Sequence, residues 1–302
     1  MSGIRTSLLV PCYNSALFLP RLWETVRAQT LPFDEAICYD DASDDNTAEI
    51  ARSLGARVIR GEKNAGPAHA RNQLWQAARG EWVHFHDADD LLAPRFLEKM
   101  LARTSPAIDV AICDVDWVDE TSRRVLIPFR YQAAALRADP LGYVLEHPIG
   151  GINGLYRRSS LQAVNGFNEA LRNWEDADLH VRLAASGARI DVVEEVLCLS
   201  LRQPASISTD YRFNWRCRLE ALQGYARTLP QAAQAALARE AERAAQNSVV
   251  VGDLPAAAEA LALARRLGGD PPTTRHWLLR LAKRFVPALW LLRLQTRARS
   301  LR

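Results

Sequence analysis

Three carboxylates follow closely on a segment that has the character of a buried strand. The segment Trp82–Phe85 is aromatic and β-branched apart from one histidine, and Asp87, Asp89 and Asp90 come just after it. In an open α/β sheet, ligands bind at the carboxyl ends of the strands, so these acids are expected to face a site. Carboxylates this close repel one another, and a hard divalent cation relieves that repulsion. The alternative is an acidic turn that caps the next helix, which is predicted to begin near Pro94.

Alternating strands and helices precede this acidic turn and would position it. Short apolar runs bounded by turn residues predict strands at residues 6–11, 35–39, 57–59 and 82–85. The spacing of apolar residues and the N-cap chemistry predict helices over residues 17–28, 44–54 and 68–78. This alternation is typical of βαβ units and a parallel sheet.

The pattern changes after Asp90. Further strands are predicted at residues 110–113, 125–127, 192–193 and 196–199, with a glycine-rich segment at 150–156 and a helix over 175–185. From about Phe213 onward alanine, leucine and arginine dominate, and only helices are expected, including 231–245 and 255–267. We therefore predict an α/β domain over residues 1–210 and a helical region over 211–302.

Composition limits the class of protein. The chain has 302 residues and a net charge of only +3, which does not favour a nucleic-acid partner. Its five cysteines are scattered without Cys-x-x-Cys spacing, so neither a zinc site nor a disulfide framework is expected. Free cysteines are typical of a reducing compartment, so we expect a cytoplasmic location. No signal-peptide core and no apolar run long enough for a membrane-spanning helix is visible.

The last residues of the chain are basic and amphipathic. Leucines and aromatic residues recur at helical spacing over residues 274–302, and Pro287 is expected to break or kink this segment. The final 28 residues contain eight arginines and lysines and no acid. This combination predicts peripheral attachment to the cytoplasmic leaflet of an anionic membrane. The alternative is a terminal helix that packs on the core with a solvated basic face.

Five local patterns occur in a definite order along the chain. They are Pro11–Asn14, Tyr39–Thr47, Asn64–Asn72, the DxD motif of Asp87–Asp90, and Trp174–Asp176 with Leu179 and Arg182. In this combination, residues 5 to 205 closely resemble family 2 glycosyltransferases, which are inverting enzymes with the GT-A fold. The resemblance implies a Rossmann-like, mostly parallel sheet flanked by helices; the helical C-terminal region lies outside it.

The resemblance assigns residues to the nucleotide of a nucleotide-sugar donor. Asp41 resembles the family's acid that accepts a hydrogen bond from the base, usually uracil, and Pro11 and Tyr13 resemble the loop that shapes the pocket. Arg71 resembles the basic residue beneath the nucleotide, and Asp87 the acid on the ribose or diphosphate side. The alternatives are a helix-capping acid at Asp41 and a surface helical arginine at Arg71.

The resemblance also implies a metal site for Mn²⁺ or Mg²⁺. Asp89 resembles the direct ligand, and the cation would bridge the two phosphates of the donor. Asp90 is expected to orient the turn. Members of the family often have a further histidine ligand, but this chain has Gln203 at that position. A neutral amide oxygen is a weaker ligand, so its contribution to the site is left open.

The downstream motif resembles the acceptor side of the family's site. Asp176 matches the base that takes the proton from the attacking hydroxyl, and Trp174, Glu175 and Gly151 resemble acceptor-binding positions. Alternatively, Glu175 and Asp176 are acids at the positive end of a helix, and Trp174 belongs to the core.

The predicted function is transfer of a hexosyl or N-acetylhexosaminyl group from a nucleotide-diphosphate sugar, with UDP as the expected nucleotide. The acceptor would be a hydroxyl of a glycan or lipid-linked glycan in cell-surface polysaccharide or lipopolysaccharide synthesis. Nucleotidyl transfer by the same fold usually needs a loop with glycine and lysine, and residues 10–16 contain neither. A catalytically silent nucleotide-binding module with a partner-recruiting helical tail is the remaining alternative.

Overall fold

The computed structural model describes residues 5–202, 210–271 and 286–293. It divides the chain into two compact units, Met1–Pro204 and Ala205–Arg302. The predicted boundary after residue 210 stays a prediction, because residues 203–209 lie outside the described part.

The first half of the α/β unit is a parallel βαβ array, as the alternation of strands and helices predicts. Its strands are β1 (Thr6–Cys12), β2 (Glu35–Asp40), β3 (Arg57–Arg60) and β4 (Trp82–Phe85). Its helices are α1 (Leu19–Arg27), α2 (Thr47–Ser53) and α3 (Pro67–Ala77). β1 pairs in parallel with β2 and β4, and β2 pairs in parallel with β3. The loops after β1, β2 and β4 therefore meet at one edge of the sheet.

The second half supplies five further strands and five helices. The strands are β5 (Leu91–Leu92), β6 (Val110–Asp119), β7 (Val125–Phe129), β8 (Gly154–Arg157) and β9 (Ile190–Arg202). The helices are α4 (Phe96–Ala102), α5 (Ala133–Ala138), α6 (Pro140–Glu146), α7 (Arg158–Ala163) and α8 (Glu175–Ala185). A 3₁₀ turn at Gly151–Asn153 leads into β8.

The complete sheet is mixed, in the order β3-β2-β1-β4-β8-β6-β9-β5, with β7 also on β6. β8 lies antiparallel between β4 and β6, so β4 and β6 run in the same direction. The two short strands predicted at 192–193 and 196–199 are one strand, because β9 pairs in parallel with β6 through register shifts near Cys113–Val115. The shifts interrupt the regular alternation that sequence patterns detect.

Two clusters of buried side chains join the sheet to its helices. One contains Leu8 and Val10 of β1 with Leu22 and Trp23 of α1. The other packs α4 against β4, β6 and β9. Because both clusters include residues close to the acidic turn after β4, that turn begins from a rigid base.

The described part of the second unit is helical. It contains α9 (Tyr211–Thr228), α10 (Gln234–Val250) and α11 (Leu254–Arg266), preceded at α10 by a 3₁₀ turn. Asp253 accepts a hydrogen bond from the Ala256 amide, which caps α11, and forms an ion pair of 2.7 Å with Arg216 of α9. The predicted helices over 231–245 and 255–267 correspond to α10 and α11.

The basic terminal segment lies mostly outside the described residues. Residues 286–293 are described, and the six from 288 onward are helical and follow Pro287. The Trp290 side chain is exposed, and the guanidinium of Arg293 lies 5.2 Å from its ring centroid. Among the described helices, none has the length and apolarity needed to cross a bilayer. Membrane attachment through the tail stays a prediction.

Candidate active site

The turn after β4 is anchored by its third acid. Asp90 is buried, and its carboxylate accepts a hydrogen bond of 2.8 Å from the Leu201 amide of β9. Burial and the nearby charges of Asp89 and Asp87 raise the pKa of Asp90 well above its ordinary value. Asp90 therefore fixes the turn on β9, which leaves Asp87 and Asp89 as the acids available to a ligand.

A buried arginine joins the acidic turn to α8. Arg71 of α3 donates from one terminal nitrogen to Asp87 at 2.7 Å and from the other to Glu175 at 2.6 Å. Burial acts to lower the pKa of Arg71, but the carboxylates of Asp87 and Glu175 more than offset it. Burial likewise acts to raise the pKa of Asp87, but Arg71 and the other nearby cationic groups lower it on balance. A Cβ on Gly151 would lie only 3.3 Å from the guanidinium, so this glycine lets the 3₁₀ turn approach Arg71.

Asp176 lies beside this pair at the start of α8. Burial, and then the negative charge of Glu175, raise the pKa of Asp176 to about 7, against a smaller lowering by Arg71. One carboxylate oxygen accepts from the Ala177 amide at 2.7 Å. The other lies 3.9 Å from the point that a Cβ on Gly150 would occupy, so a position without a side chain faces it. A carboxylate with a pKa near neutrality is suited to general-base chemistry.

The backbone immediately before Asp176 is strained. Trp174 has a φ of 70° and a left-handed conformation, which is costly for a bulky residue. Its indole is partly exposed, whereas Glu175 and Gly151 are buried against Arg71. Glu175 and Gly151 thus stabilise the arginine, and their predicted contact with an acceptor stays a prediction.

Three of the predicted nucleotide-binding residues lie at the carboxyl ends of β1 and β2, at the same edge of the sheet. Asp41 is buried, and its carboxylate accepts hydrogen bonds from the amides of Ala65 at 3.0 Å and Gly66 at 2.7 Å. Pro11 lies within β1, and the Tyr13 ring just beyond is 47% exposed. A carboxylate has about four lone-pair positions, so Asp41 can hold the 64–66 turn and still accept from a base.

The acids of the turn fit a cation that is held jointly with phosphate. The Asp89 carboxylate forms no ion pair with any side chain in the described ranges, and burial followed by the charge of Asp87 raises its pKa. Within those ranges no group of three or more His, Cys, Asp or Glu residues is placed to hold a metal. Mg²⁺ usually needs only one or two carboxylates when substrate phosphates supply further ligands. Gln203 lies outside the described residues.

Two arginines lie near the acidic turn after β4 and were not predicted from the sequence. Arg21 of α1 donates to the Asp89 carbonyl at 3.1 Å, and the Arg202 guanidinium lies 3.4 Å from the centroid of the Trp117 ring. Burial lowers the pKa of Arg202, while Asp90, Asp87 and Asp89 raise it. The only sequence signal is that Arg202 precedes Gln203. Arg21 resembles any polar residue of an amphipathic helix.

Replacing Arg71 with alanine is expected to destabilise the protein by about 3 kcal/mol, because the buried Glu175 carboxylate would lose its partner, whereas the Asp87 side chain is 38% exposed and can be solvated. Guanidinium chloride unfolding measures the change. Arg189→Ala is the control, since that side chain is 62% exposed and is expected to change stability by less than about 0.5 kcal/mol. Equal losses in the two variants would contradict the bridging role of Arg71.

Comparison with known proteins defines the class. The model of the family described as "Glycosyl transferase family 2" matches residues 7–164, and a model described as "N-terminal domain of galactosyltransferase" matches residues 137–203. The fold and the order of the motifs agree with the first match. The chain belongs to glycosyl transferase family 2.

Several curated relatives match part of this chain. An uncharacterised glycosyltransferase of Haemophilus influenzae is 31% identical over 59% of this chain and 61% of its own length. The succinoglycan biosynthesis protein ExoO of Rhizobium meliloti is 30% identical over 62% of this chain and 57% of its own length. The minor teichoic acid biosynthesis protein GgaA of Bacillus subtilis is 26% identical over 63% of this chain and 45% of its own length. The chain thus spans less than two thirds of each relative.

Solved structures show the same fold at low sequence identity. S. aureus TarS 1-349 in complex with UDP-GlcNAc is 17% identical, with a TM-score of 0.61 over 90% of this chain and 95% of that one. The mannosyltransferase PcManGT of Pyrobaculum calidifontis, in complex with GDP-Man and Mn²⁺, is 18% identical, with a TM-score of 0.62 over 98% and 84%. The α/β unit is therefore a GT-A fold, followed by a helical C-terminal region.

Proposed function

We propose that the protein is an inverting glycosyltransferase that moves a hexosyl or N-acetylhexosaminyl group from a UDP-sugar to a hydroxyl of a glycan or lipid-linked glycan. The observation that carries the proposal is the Asp176 carboxylate, whose pKa is raised to about 7 beside the bridge from Arg71 to the acidic turn. It provides a base close to a group of acids suited to a metal–diphosphate complex.

In this mechanism Asp176 takes the proton of the acceptor hydroxyl. The oxygen attacks the anomeric carbon from the face opposite the nucleoside diphosphate, the bond to the leaving phosphate breaks, and the configuration inverts. Arg71 would position the acidic turn relative to the start of α8, because it donates to Asp87 at 2.7 Å and to Glu175 at 2.6 Å. Burial, and then the charge of the neighbouring Glu175, raise the pKa of Asp176 to about 7, so the base can accept a proton at neutral pH.

The donor site would use the residues at the carboxyl ends of β1, β2 and β4. Pro11, Tyr13 and Asp41 would hold the nucleoside, with Arg71 beneath it, and Asp87 would lie near the ribose or diphosphate. Asp89 would bind Mn²⁺ or Mg²⁺, which when present neutralises charge on the departing diphosphate. The complexes of TarS with UDP-GlcNAc and of PcManGT with GDP-Man and Mn²⁺ support this assignment by analogy of fold.

The acceptor would belong to a cell-surface polysaccharide. Two relatives are named for succinoglycan and teichoic acid biosynthesis, which supports an acceptor of this class. Such synthesis would place the enzyme in the cytoplasm or on the cytoplasmic face of the membrane, with the basic tail over residues 274–302 as one attachment. Trp174 would offer its ring to an acceptor sugar.

A screen of nucleotide sugars for slow donor hydrolysis tests the proposed activity. Calorimetric titration with UDP, with and without Mn²⁺, measures binding separately. Metal-dependent binding together with hydrolysis of one UDP-sugar is expected. Binding without any turnover, on donors alone and with glycan acceptors, would instead indicate a silent nucleotide-binding module.

The transfer rate is expected to rise about tenfold per pH unit below pH 7 and to level off above it. The sign follows from the pKa of Asp176, which is raised to about 7, because only the ionised carboxylate accepts a proton. The profile of kcat/KM between about pH 5 and pH 9 measures this. A flat profile across neutrality would show that a group other than Asp176 limits the proton transfer.

A further inference from the structure

An apolar run lies exposed on the hairpin formed by β6 and β7. Val125, Leu126 and Ile127 have exposed fractions of 46%, 42% and 41%, and they follow directly on Arg123 and Arg124, which are exposed as well. These five residues are called the hairpin surface below. Large apolar side chains that adjoin one another on a surface mark an interaction site more often than isolated ones do.

The strand that carries this run is not a core strand. Side chains alternate between the two faces of a strand, so Leu126 points away from Val125 and Ile127. Since all three are partly exposed, both faces of β7 are accessible to solvent. β7 pairs with β6 over Val115–Val118, and Phe129 at its far end packs against Trp117 with ring centroids 5.0 Å apart. The hairpin surface therefore lies on an exposed strand that is held in place by β6.

The charges around this edge favour an anionic partner. Arg123 and Arg124 form no ion pair with a residue in the described ranges. The acids of the same turn are engaged locally: Asp119 accepts from the amide and the hydroxyl of Ser122, and Glu120 forms an ion pair of 2.7 Å with Arg21. Glu120 is neutralised by Arg21, whereas the Asp119 carboxylate keeps its charge and offsets one of the two arginines, so the turn retains one net positive charge for an anionic partner.

The hairpin surface lies at the edge of the sheet that carries the candidate active site. β6 runs in the same direction as β4, so its carboxyl end and the hairpin turn project toward the acidic turn. Arg21 connects the two directly, because it donates to Glu120 of the hairpin at 2.7 Å and to the Asp89 carbonyl at 3.1 Å. A partner bound to the hairpin surface would therefore lie next to the candidate active site.

We propose that the hairpin surface binds the interface of an anionic lipid bilayer and so presents a membrane-borne acceptor to Asp176. The part concerning the acceptor rests on the proposed function. Apolar side chains next to arginines suit the boundary between headgroups and acyl chains. A second copy of the chain fits less well, because two-fold pairing along β7 is antiparallel and sets Arg123 and Arg124 opposite the far end of the partner strand, where residues 125–131 contain no acid.

Vesicle sedimentation of the full-length protein tests this proposal. Vesicles of phosphatidylcholine with phosphatidylglycerol are compared with vesicles of phosphatidylcholine alone, at low and high salt. Leu126→Glu is expected to weaken binding to the anionic vesicles about tenfold or more. Leu31→Glu is the matched control: Leu31 is 40% exposed and precedes β2, at the opposite end of the sheet. It is expected to bind as the wild type does.

A charge reversal that leaves the apolar contacts of β7 in place provides the second variant. Arg123→Glu with Arg124→Glu is expected to weaken binding about twentyfold or more, and the loss should shrink at high salt. Arg79→Glu with Arg103→Glu changes the net charge equally at exposed positions before β4 and β6. Wild-type binding by this control assigns the effect to the hairpin surface and not to total charge.

The outcomes separate this inference from the proposed function. Binding is measured without turnover, and donor hydrolysis by each variant reports the active site independently. Reduced binding with normal hydrolysis supports the inference. If both hairpin variants bind anionic vesicles like the wild type, or if the wild type binds none at low salt, the inference is wrong. If sedimentation velocity shows a wild-type dimer that the hairpin variants dissociate, the surface is an interface between copies.

Discussion

Replacing Asp176 with asparagine is expected to lower sugar transfer about 10²- to 10⁴-fold while donor binding persists. An amide cannot accept the proton of the attacking hydroxyl, and it preserves the size of the side chain. The pKa of Asp176, raised to about 7 by burial and by Glu175, already places this group in the range of an efficient base. Transfer under saturating donor and calorimetric binding of UDP together measure the two effects.

The control for this variant lies two residues further along the same helix. Asp178 is buried and forms an ion pair of 2.7 Å with Arg182, away from the bridge of Arg71. Asp178→Asn removes the same charge and is expected to lower stability with little change in kcat. If Asp176→Asn instead binds UDP poorly and transfers normally once saturated, the assignment of the base is wrong.

The Asp176→Asn substitution is also expected to stabilise the fold above about pH 7. Because the pKa of Asp176 is raised in the folded state, ionising it costs stability as the pH rises from the ordinary aspartate range toward 7. Asparagine removes this cost, so the melting temperature of the variant should exceed that of the wild type at alkaline pH and match it in acid. A lower melting temperature at alkaline pH would show that the carboxylate makes a favourable contact.

Replacing Asp89 with asparagine is expected to lower metal-dependent turnover on the order of a hundredfold or more. The substitution removes the carboxylate that forms no ion pair within the described ranges and whose pKa is raised by burial and by Asp87. The fold should persist, because Asp90 and not Asp89 holds the turn to Leu201. Initial rates across a titration with Mn²⁺ measure the loss.

A neutralised acid away from the turn controls for the change in charge. Asp44 is exposed in the loop before α2, and Asp44→Asn is expected to leave the rate and its dependence on Mn²⁺ unchanged. Near-wild-type turnover of Asp89→Asn under saturating Mn²⁺ would remove Asp89 from the candidate site.

The local sequence determined the elements and their order. Apolar runs and cap residues located the four parallel strands and the helices between them, because burial and turn formation depend on neighbouring residues. The order of motifs identified the family, and the parallel array placed Asp41 and Asp87 at one edge of the sheet, since the carboxyl ends of parallel strands meet there.

Tertiary structure alone decided which charges meet. Arg71 and Glu175 are 104 positions apart, and their contact depends on the packing of α3 and α8 on the same sheet. The reversed strand β8, the approach of Arg21 to Asp89 and the exposure of β7 likewise depend on how distant elements pair. An apolar run indicates a strand but not which neighbour covers it, so the sequence predicts the strand at 125–127, whereas its exposure depends on the tertiary structure.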